Sequence, residues 1–417
     1  MKVVVIAGGQ GTRIASVNSE IPKAMIPING KPILEYEIEM AKRYGYTDFL
    51  FIVGYMGDQI QSYFRDGSQW GVTISYFEEE TPLGTAGALG FLKDQLTNDF
   101  FVFYGDTVMD IDLQSMLNYH RLKQSDATLL IHPNDHPYDS DIVDIDEDGK
   151  IRHFYNKPHQ NGFISRNTVN AALFIFSKKI LDNIEVGVKS HIEKHVLPKC
   201  LNNGLNLYGY VSFEYIKDMG TPDRYHAVCE DVISGKVAQL NRQYSRAAIF
   251  LDRDGVVVKE VDLLHRQDQL ELVDGAAEAI KYINKKGYLA IIVTNQPVIA
   301  RNLCSIEELG TIHAKMETLL GSAHAYLNAI YYCPHHPDSG YPEERKEYKI
   351  KCECRKPAPG MLLQAAKDWN IDLMNSYMIG DRESDVLAGE NAGCKKSVCI
   401  EMNKPYALLE ALKTILD

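Results

Sequence analysis

The 417-residue sequence predicts an α/β protein made of two α/β domains, and two observations carry that prediction. Two segments, KVVVIAGGQGTR from Lys2 and AAIFLDRDGVVV from Ala247, open alike: an apolar run, a tight Gly- or Asp-rich turn, then a helical pattern. An apolar run ending in such a turn is how a buried parallel strand delivers functional groups to the carboxyl edge of a sheet. The chain is also about three times a typical domain, enough for more than one hydrophobic core.

After the first opening, FLFIVGY (from Phe49), ISYFEE (Ile74), FFVFYGD (Phe100), TLLIH (Thr128) and AALFIFS (Ala171) read as strands, with helical spacing over 33–43, 85–95 and 111–123. After the second, LAIIVTNQ (Leu289), AIYYCPHH (Ala329), SYMIGDRESD (Ser376) and KKSVCI (Lys395) give a smaller α/β domain. The polar stretch SGKVAQLNRQYSR over 234–246 is the natural joint, which sets the first domain at residues 1–240 and the second at 247–417.

Composition excludes several classes. Hydrophobic residues at 45% and charged residues at 24% are ordinary soluble values, and no window approaches the roughly 18 consecutive apolar residues of a membrane span. The net charge of −12 argues against nucleic-acid binding through a basic face, so anionic small-molecule substrates would need local cationic pockets. The start MKVVVIAGGQ reads straight into a strand without a signal-peptide pattern, and with eight unevenly spaced cysteines it points to a reducing cytoplasm. Oligomeric state is not legible.

At the end of the first strand, Gly8, Gly9 and Gly11 let backbone amides approach a phosphate chain. The loop fits neither phosphate fingerprint closely, since Ile14 stands where a dinucleotide fold wants Gly or Ala and no Lys-Ser/Thr follows. On the loop alone, a structural glycine turn and nucleotide binding both stay open. Arg13 and Lys23 then add cations, PLGTAGAL at 82–89 offers a second Gly-rich turn, and Asp106 ends a buried strand where a Mg²⁺ ligand would stand.

AGGQGTR, PKAMIPINGKPILE, LGTAGAL and YGD, in this order and spacing, resemble the sugar-phosphate nucleotidylyltransferases, over most of residues 1–235. The resemblance implies a Rossmann-like sandwich that joins a nucleoside triphosphate to a sugar 1-phosphate and releases pyrophosphate. It implies that Gly8, Gly9, Gly11, Thr12 and Arg13 hold the triphosphate, Lys23 neutralises it, and Gly84 and Gly87 flank base or sugar. Asp106 and Asp218 would bind Mg²⁺, Lys157 would contact the sugar phosphate, and Asn170 and Glu193 would contact the sugar. Ala24 and His195 depart from the family pattern, which often has Pro and Asp there.

In the second domain, Asp252 and Asp254 stand two apart at a strand end, where period-2 geometry would put both carboxylates on one side. One can attack while the other handles a proton. Thr294 and Asn295 end another strand, Lys356 lies in CRKPAPG, and Asp381 and Asp385 lie in IGDRESD. These four ordered pieces resemble the motifs of the haloacid dehalogenase superfamily of phosphatases, over 247–400. By that resemblance Asp252 forms an aspartyl-phosphate, Asp254 protonates the leaving group and then activates water, and Thr294 bonds the phosphoryl oxygens. Lys356 offsets the crowded negative charge, Asp252 and Asp381 hold Mg²⁺ with the Asp254 carbonyl, and Asp385 supports the site from behind.

Cys333, His335, Cys352 and Cys354 supply three thiolates and an imidazole, a set that suits tetrahedral zinc, with free buried thiols as the alternative. They match the zinc loop of one branch of that superfamily, the histidinol-phosphate and heptose-bisphosphate phosphatases, and His336 is a weaker candidate than its neighbour. Arg355 could clamp a second anionic group; Asn295 and Arg301 are further substrate contacts, although Pro297 and Val298 replace the Ser-Gly usual after this Thr-Asn-Gln.

The pairing of the two domains narrows the expectation. A phosphatase that removes the 7-phosphate of D-glycero-D-manno-heptose 1,7-bisphosphate leaves the 1-phosphate, an acceptor for the guanylyltransferases that make GDP-heptose, which the first domain resembles. The alternatives are another sugar 1-phosphate such as mannose, another base (CTP, UTP or dTTP), a phosphatase of different specificity, or a ligand-binding sensor or scaffold without turnover.

Overall fold

The computed structural model describes every residue except Ala15, Ser339, Tyr341 and Pro342, and only the backbone of Thr12. The chain forms two compact units: 1–132, 143–156 and 168–242 make the first; 133–142, 157–167 and 243–417 make the second. No described helix is long and apolar enough to cross a membrane.

The first unit is built on a nine-stranded mixed sheet. Four parallel strands lie side by side in the order Phe100–Tyr104, Lys2–Ile6, Asp48–Val53, Thr73–Glu78. Antiparallel Val169–Phe176 continues the sheet beyond Phe100–Tyr104. Alternate side chains pack into opposite layers: Val3, Val5, Phe49 and Phe51 face one core, Val4, Leu50 and Ile52 the other. With both faces covered, these strands read as continuous apolar runs in the sequence. The strand order reverses beside Lys2–Ile6, so the loops after Ile6 and Tyr104 open onto one crevice at the carboxyl edge.

The helix expected over 33–43 is present at Ile33–Arg43, and that over 111–123 at Leu113–Leu122, capped by Asp112. The stretch 85–95 differs: it forms a 3-10 turn at Gly87–Leu92. Its glycines favour the coil over the helix, and the chain at 186–190 presses against them, with Ser190 O only 2.3 Å from where a Cβ on Gly84 would stand.

The second unit carries a five-stranded parallel sheet in the order Ala329–Cys333, Leu289–Asn295, Ala248–Leu251, Tyr377–Gly380, Lys396–Cys399. The helix Ile306–Ser322 starts on a capping box: Ser305 Oγ accepts from the Glu308 amide at 3.1 Å, and the Glu308 carboxylate accepts from the Ser305 amide at 2.6 Å. The segments 133–142 and 157–167 pack on this helix. Pro137 Cγ lies 2.5 Å from where a Cβ on Gly321 would be, Ser165 N–H donates to Thr318 Oγ1 at 3.1 Å, and Arg166 pairs with Glu317.

Candidate active sites at two strand edges

A cleft of about 270 Å³ opens at the carboxyl edge of the first unit's parallel strands, lined by Gly9, Gly11, Arg13, Lys23, Asp106 and Gly220 among others. Gly11 has φ +60, and a Cβ there would lie 2.9 Å from Lys23 Cβ, so a side chain at this position would drive the loop off the lysine. The Lys23 ammonium pairs with the Asp106 carboxylate. Gly8 lies just behind the cleft, against Glu79 and Gly54. The side chain of Thr12 is outside the described residues.

Asp218 ends the strand Tyr215–Asp218, which pairs with Thr107–Asp110, and the Met219 amide donates to the Asp106 carbonyl at 3.0 Å. Asp106 precedes one strand and Asp218 ends its antiparallel partner, so the two stand at the same end of the pair. Asp218 accepts from Arg224 at 2.7 Å and from the Gly220 amide at 3.0 Å. Hard carboxylate oxygens of this kind could hold Mg²⁺. Glu193 lies in a π-helical turn, Ile192–Val196, and accepts from the cleft-lining Tyr104 hydroxyl at 2.6 Å. Burial, then the Glu193 charge, pushes the Tyr104 hydroxyl well above the usual phenol range, which keeps it a hydrogen-bond donor.

Gly84, Gly87, Asn170 and Lys157 are not among the residues lining this cleft. Gly84 and Gly87 abut the backbone of Ser190 and Val188, while Thr85 between them lines the cleft. Asn170 sits at an irregularity of its strand and accepts from the Ala172 amide at 3.3 Å. Lys157 is in the second unit, where its ammonium donates to the Asp139 carbonyl at 2.9 Å and its amide to Asp141 at 2.9 Å.

In the second unit, Asp252, Thr294 and Asp381 follow or end three adjacent parallel strands. Lys356 is 4% exposed and lies 2.8 Å from Asp252 and 2.6 Å from Asp385. Burial disfavours its ammonium, but the charges of Asp252 and Asp385 outweigh that and hold it above the usual lysine range. Asp252, Asp381 and Asp385 each bring a carboxylate oxygen within 4.8 Å of one another. Both Asp381 oxygens are buried with no hydrogen-bond partner, and burial followed by the charges of Asp252 and Asp385 pushes this carboxyl up to about 6. An orphaned carboxylate among like charges fits a cation site. Gly255, at φ +82, makes room for it: a Cβ there would lie 2.5 Å from Asp381 Oδ2.

The strand alternation stops at Leu251, so Asp254 takes its direction from neighbours instead. Its carboxylate accepts from Arg253 and Gln296. Asn295 exchanges two hydrogen bonds with the Lys356 backbone, at 3.0 and 3.1 Å, which braces the lysine. Arg355 donates to the His335 carbonyl at 3.0 Å. Arg301 follows the buried run Val298-Ile299-Ala300.

Cys333, His335, Cys352 and Cys354 also converge within 4.8 Å. The three sulfurs lie 3.1–3.5 Å apart, and His335 Nδ1 is 3.4 Å from Cys354 Sγ and 3.7 Å from Cys333 Sγ. The set could hold a metal ion. His336 is outside it, with Nδ1 accepting from the Asp338 amide at 3.3 Å.

Sequence reasoning missed Thr85, Tyr104, Arg253 and Gln296. An arginine between two aspartates after an apolar run, and a glutamine two residues past Thr294, were the available signals for the last two.

The nucleotidyl transferase family model matches residues 2–235, and the haloacid dehalogenase-like hydrolase model matches 205–393. The crystal structure of HddC from Yersinia pseudotuberculosis complexed with GMP-PN has a TM-score of 0.48 and 28% identity, covering 55% of this chain and 99% of that one. A mannose-1-phosphate guanylyltransferase from Mycobacterium tuberculosis is 32% identical over 234 residues, 56% of this chain and 64% of that protein. A D-glycero-beta-D-manno-heptose-1,7-bisphosphate 7-phosphatase from Pasteurella multocida is 42% identical over 160 residues, 38% of this chain and 84% of that protein. By the two family models and the Pasteurella relative, the chain belongs to the nucleotidyl transferases in its first half and to the haloacid dehalogenase-like hydrolases in its second, and is a nucleotidyltransferase and a phosphatase in one.

Proposed function

We propose that this enzyme converts D-glycero-D-manno-heptose 1,7-bisphosphate to GDP-heptose, the second unit removing the 7-phosphate and the first transferring GMP from GTP to the 1-phosphate. One observation carries the reading: a phosphatase half 42% identical to a heptose-bisphosphatase shares a chain with a nucleotidyl transferase half. The product of the one reaction has the group that the other consumes. A supply of nucleoside triphosphates is what supports reading the protein as cytoplasmic.

In the phosphatase step, Asp252 attacks phosphorus, the bond to the sugar oxygen breaks, and Asp254 protonates that oxygen. Asp254 then takes a proton from water, which displaces Asp252 and releases phosphate. Thr294 donates to a phosphoryl oxygen and Lys356 offsets the charge of Asp252. Mg²⁺ at Asp252, Asp381 and the Asp254 carbonyl would neutralise the phosphoryl charge. In the transferase, the sugar phosphate attacks the α-phosphorus in line, and Arg13, Lys23 and the Gly9–Gly11 amides hold the leaving pyrophosphate. Mg²⁺ at Asp106 and Asp218 would supply further charge neutralisation there. Zinc at Cys333, His335, Cys352 and Cys354 would be structural, because four protein ligands leave no open position.

The test supplies full-length protein with each anomer of the bisphosphate and GTP, ATP, CTP, UTP or dTTP, following phosphate and pyrophosphate and identifying products by mass. GDP-heptose formed with GTP alone is the expected result. Phosphate release with no nucleotide sugar would overturn the transferase half, and turnover of some other sugar phosphate in preference would overturn the substrate.

A further inference from the structure

Around Asp254 lies a set of buried polar groups that take no direct part in the phosphoryl transfer. Arg253, between the two aspartates, is fully buried. Its Nε and Nη2 donate to the two Asp254 carboxylate oxygens at 3.0 and 2.9 Å, and Nη2 also donates to Gln296 Oε1 at 3.0 Å. Its Nη1 lies 3.3 Å from His313 Nε2. Gln296, 2% exposed, donates from Nε2 to Asp254 Oδ2 at 2.8 Å and to Thr294 Oγ1 at 2.9 Å.

The donor inventory fixes the sense of each bond. A guanidinium only donates, so Gln296 must turn its oxygen to Arg253, and its amide nitrogen then faces Asp254 and Thr294. His313 must accept on Nε2 and carry its proton on Nδ1. Burial, followed by the charges of Arg253 and Arg166, holds His313 well below the usual histidine range, in keeping with that neutral form. Both oxygens of Asp254 thus accept from buried donors, and Arg253 is itself held by Gln296 and His313.

We propose that Arg253 and Gln296, with His313 anchoring the arginine, are positioning residues that aim the Asp254 carboxyl at the oxygen leaving the phosphoryl group. The proposal rests on the phosphatase reading of Asp252 and Asp254. In the first step the Asp252–phosphorus bond forms, the phosphorus–sugar oxygen bond breaks, and the proton passes from Asp254 to that oxygen. The carboxylate left behind is stabilised by Arg253 and is the base that deprotonates water in the second step, when the Asp252–phosphorus bond breaks.

The leaving group provides the test. A sugar alkoxide needs a proton as it departs; p-nitrophenolate does not. In full-length Gln296→Met, rapid-quench measurement should show phosphoenzyme formation from the heptose bisphosphate slowed about 100-fold. With p-nitrophenyl phosphate the same variant should give a burst of p-nitrophenol near the wild-type rate, then slow steady release as the phosphoenzyme waits for its base. Gln296→Glu, which keeps the shape but loses the donor, should show the same split, and nucleotidyl transfer by each preparation reports an intact chain. Equal slowing of both substrates, or slowing of neither, overturns the proposal. A wild-type enzyme that hydrolyses neither compound would instead remove the phosphatase reading beneath it.

Discussion

The Lys356 ammonium lies 2.6 Å from the Asp385 carboxylate at a depth where their side chains are 2% and 1% exposed. Asp252 approaches the same ammonium at 2.8 Å. Charges so deep cost several kcal/mol each to dehydrate, and their attraction compensates only while the set is complete. Lys356→Met leaves two carboxylates facing each other without their cation. It should lower the stability of the second unit by about 3–5 kcal/mol in denaturant melts without added metal, and abolish phosphate release. A melt superimposable on the parent would sink this account.

Separate sites make separable losses. Asp252→Asn should cut phosphate release by at least about a thousandfold and leave pyrophosphate release from GTP and heptose 1-phosphate unchanged. Lys23→Ala, which frees Asp106 of its partner, should do the reverse. Loss of both activities from either change would contradict two independent centres.

The Cys333, His335, Cys352 and Cys354 set predicts one tightly held metal per chain. Elemental analysis should find zinc in the parent and not in Cys354→Ser. Stripping it with a chelator should lower the melting temperature of the second unit, since a structural zinc contributes folding free energy directly. Full retention of zinc by the variant would count against the ligand set.

Glu37 makes the sharpest prediction about pH. Both of its carboxylate oxygens are buried with no hydrogen-bond partner, and burial, then the charge of Asp106, pushes its carboxyl well above the usual range. A raised native pKa means the folded chain holds a proton that the unfolded chain releases. The contribution is complete below the unfolded value of about 4.3 and is lost as pH rises through the native one. Glu37→Gln cannot ionise, so its melting temperature relative to the parent should rise from pH 5 to pH 8. An offset that is the same at both values would refute the shift.

Much of this was legible because both sheets bury their central parallel strands on both faces, which writes them into the sequence as apolar runs such as VVVI and AIFL. The candidate site residues Gly9, Gly11, Asp106, Asp252, Thr294 and Asp381 stand at or just past the ends of those runs, where the flanking motifs single them out. Contacts between distant segments are not singled out that way. Motif order singles out Lys157, and only the folded chain shows that Asp139 and Asp141 accept from its ammonium and its amide. Arg253 and Gln296 lie 43 residues apart, and only the folded sheet reveals that they share Asp254. The strand ends at Leu251, so period-2 spacing does not extend to Asp254, and Arg253 and Gln296 hold its carboxylate instead.

The second unit recruits 133–142 and 157–167 from far upstream of its main body. Severing the chain near Arg242 would therefore take from the second unit side chains that pack on its helix Ile306–Ser322. The downstream fragment would lose the proline that covers Gly321 and the arginine that neutralises Glu317, while the upstream fragment would carry both as orphaned loops. Grafting those loops onto the downstream fragment would cover Gly321 and neutralise Glu317 again, which a cut in the joint alone does not.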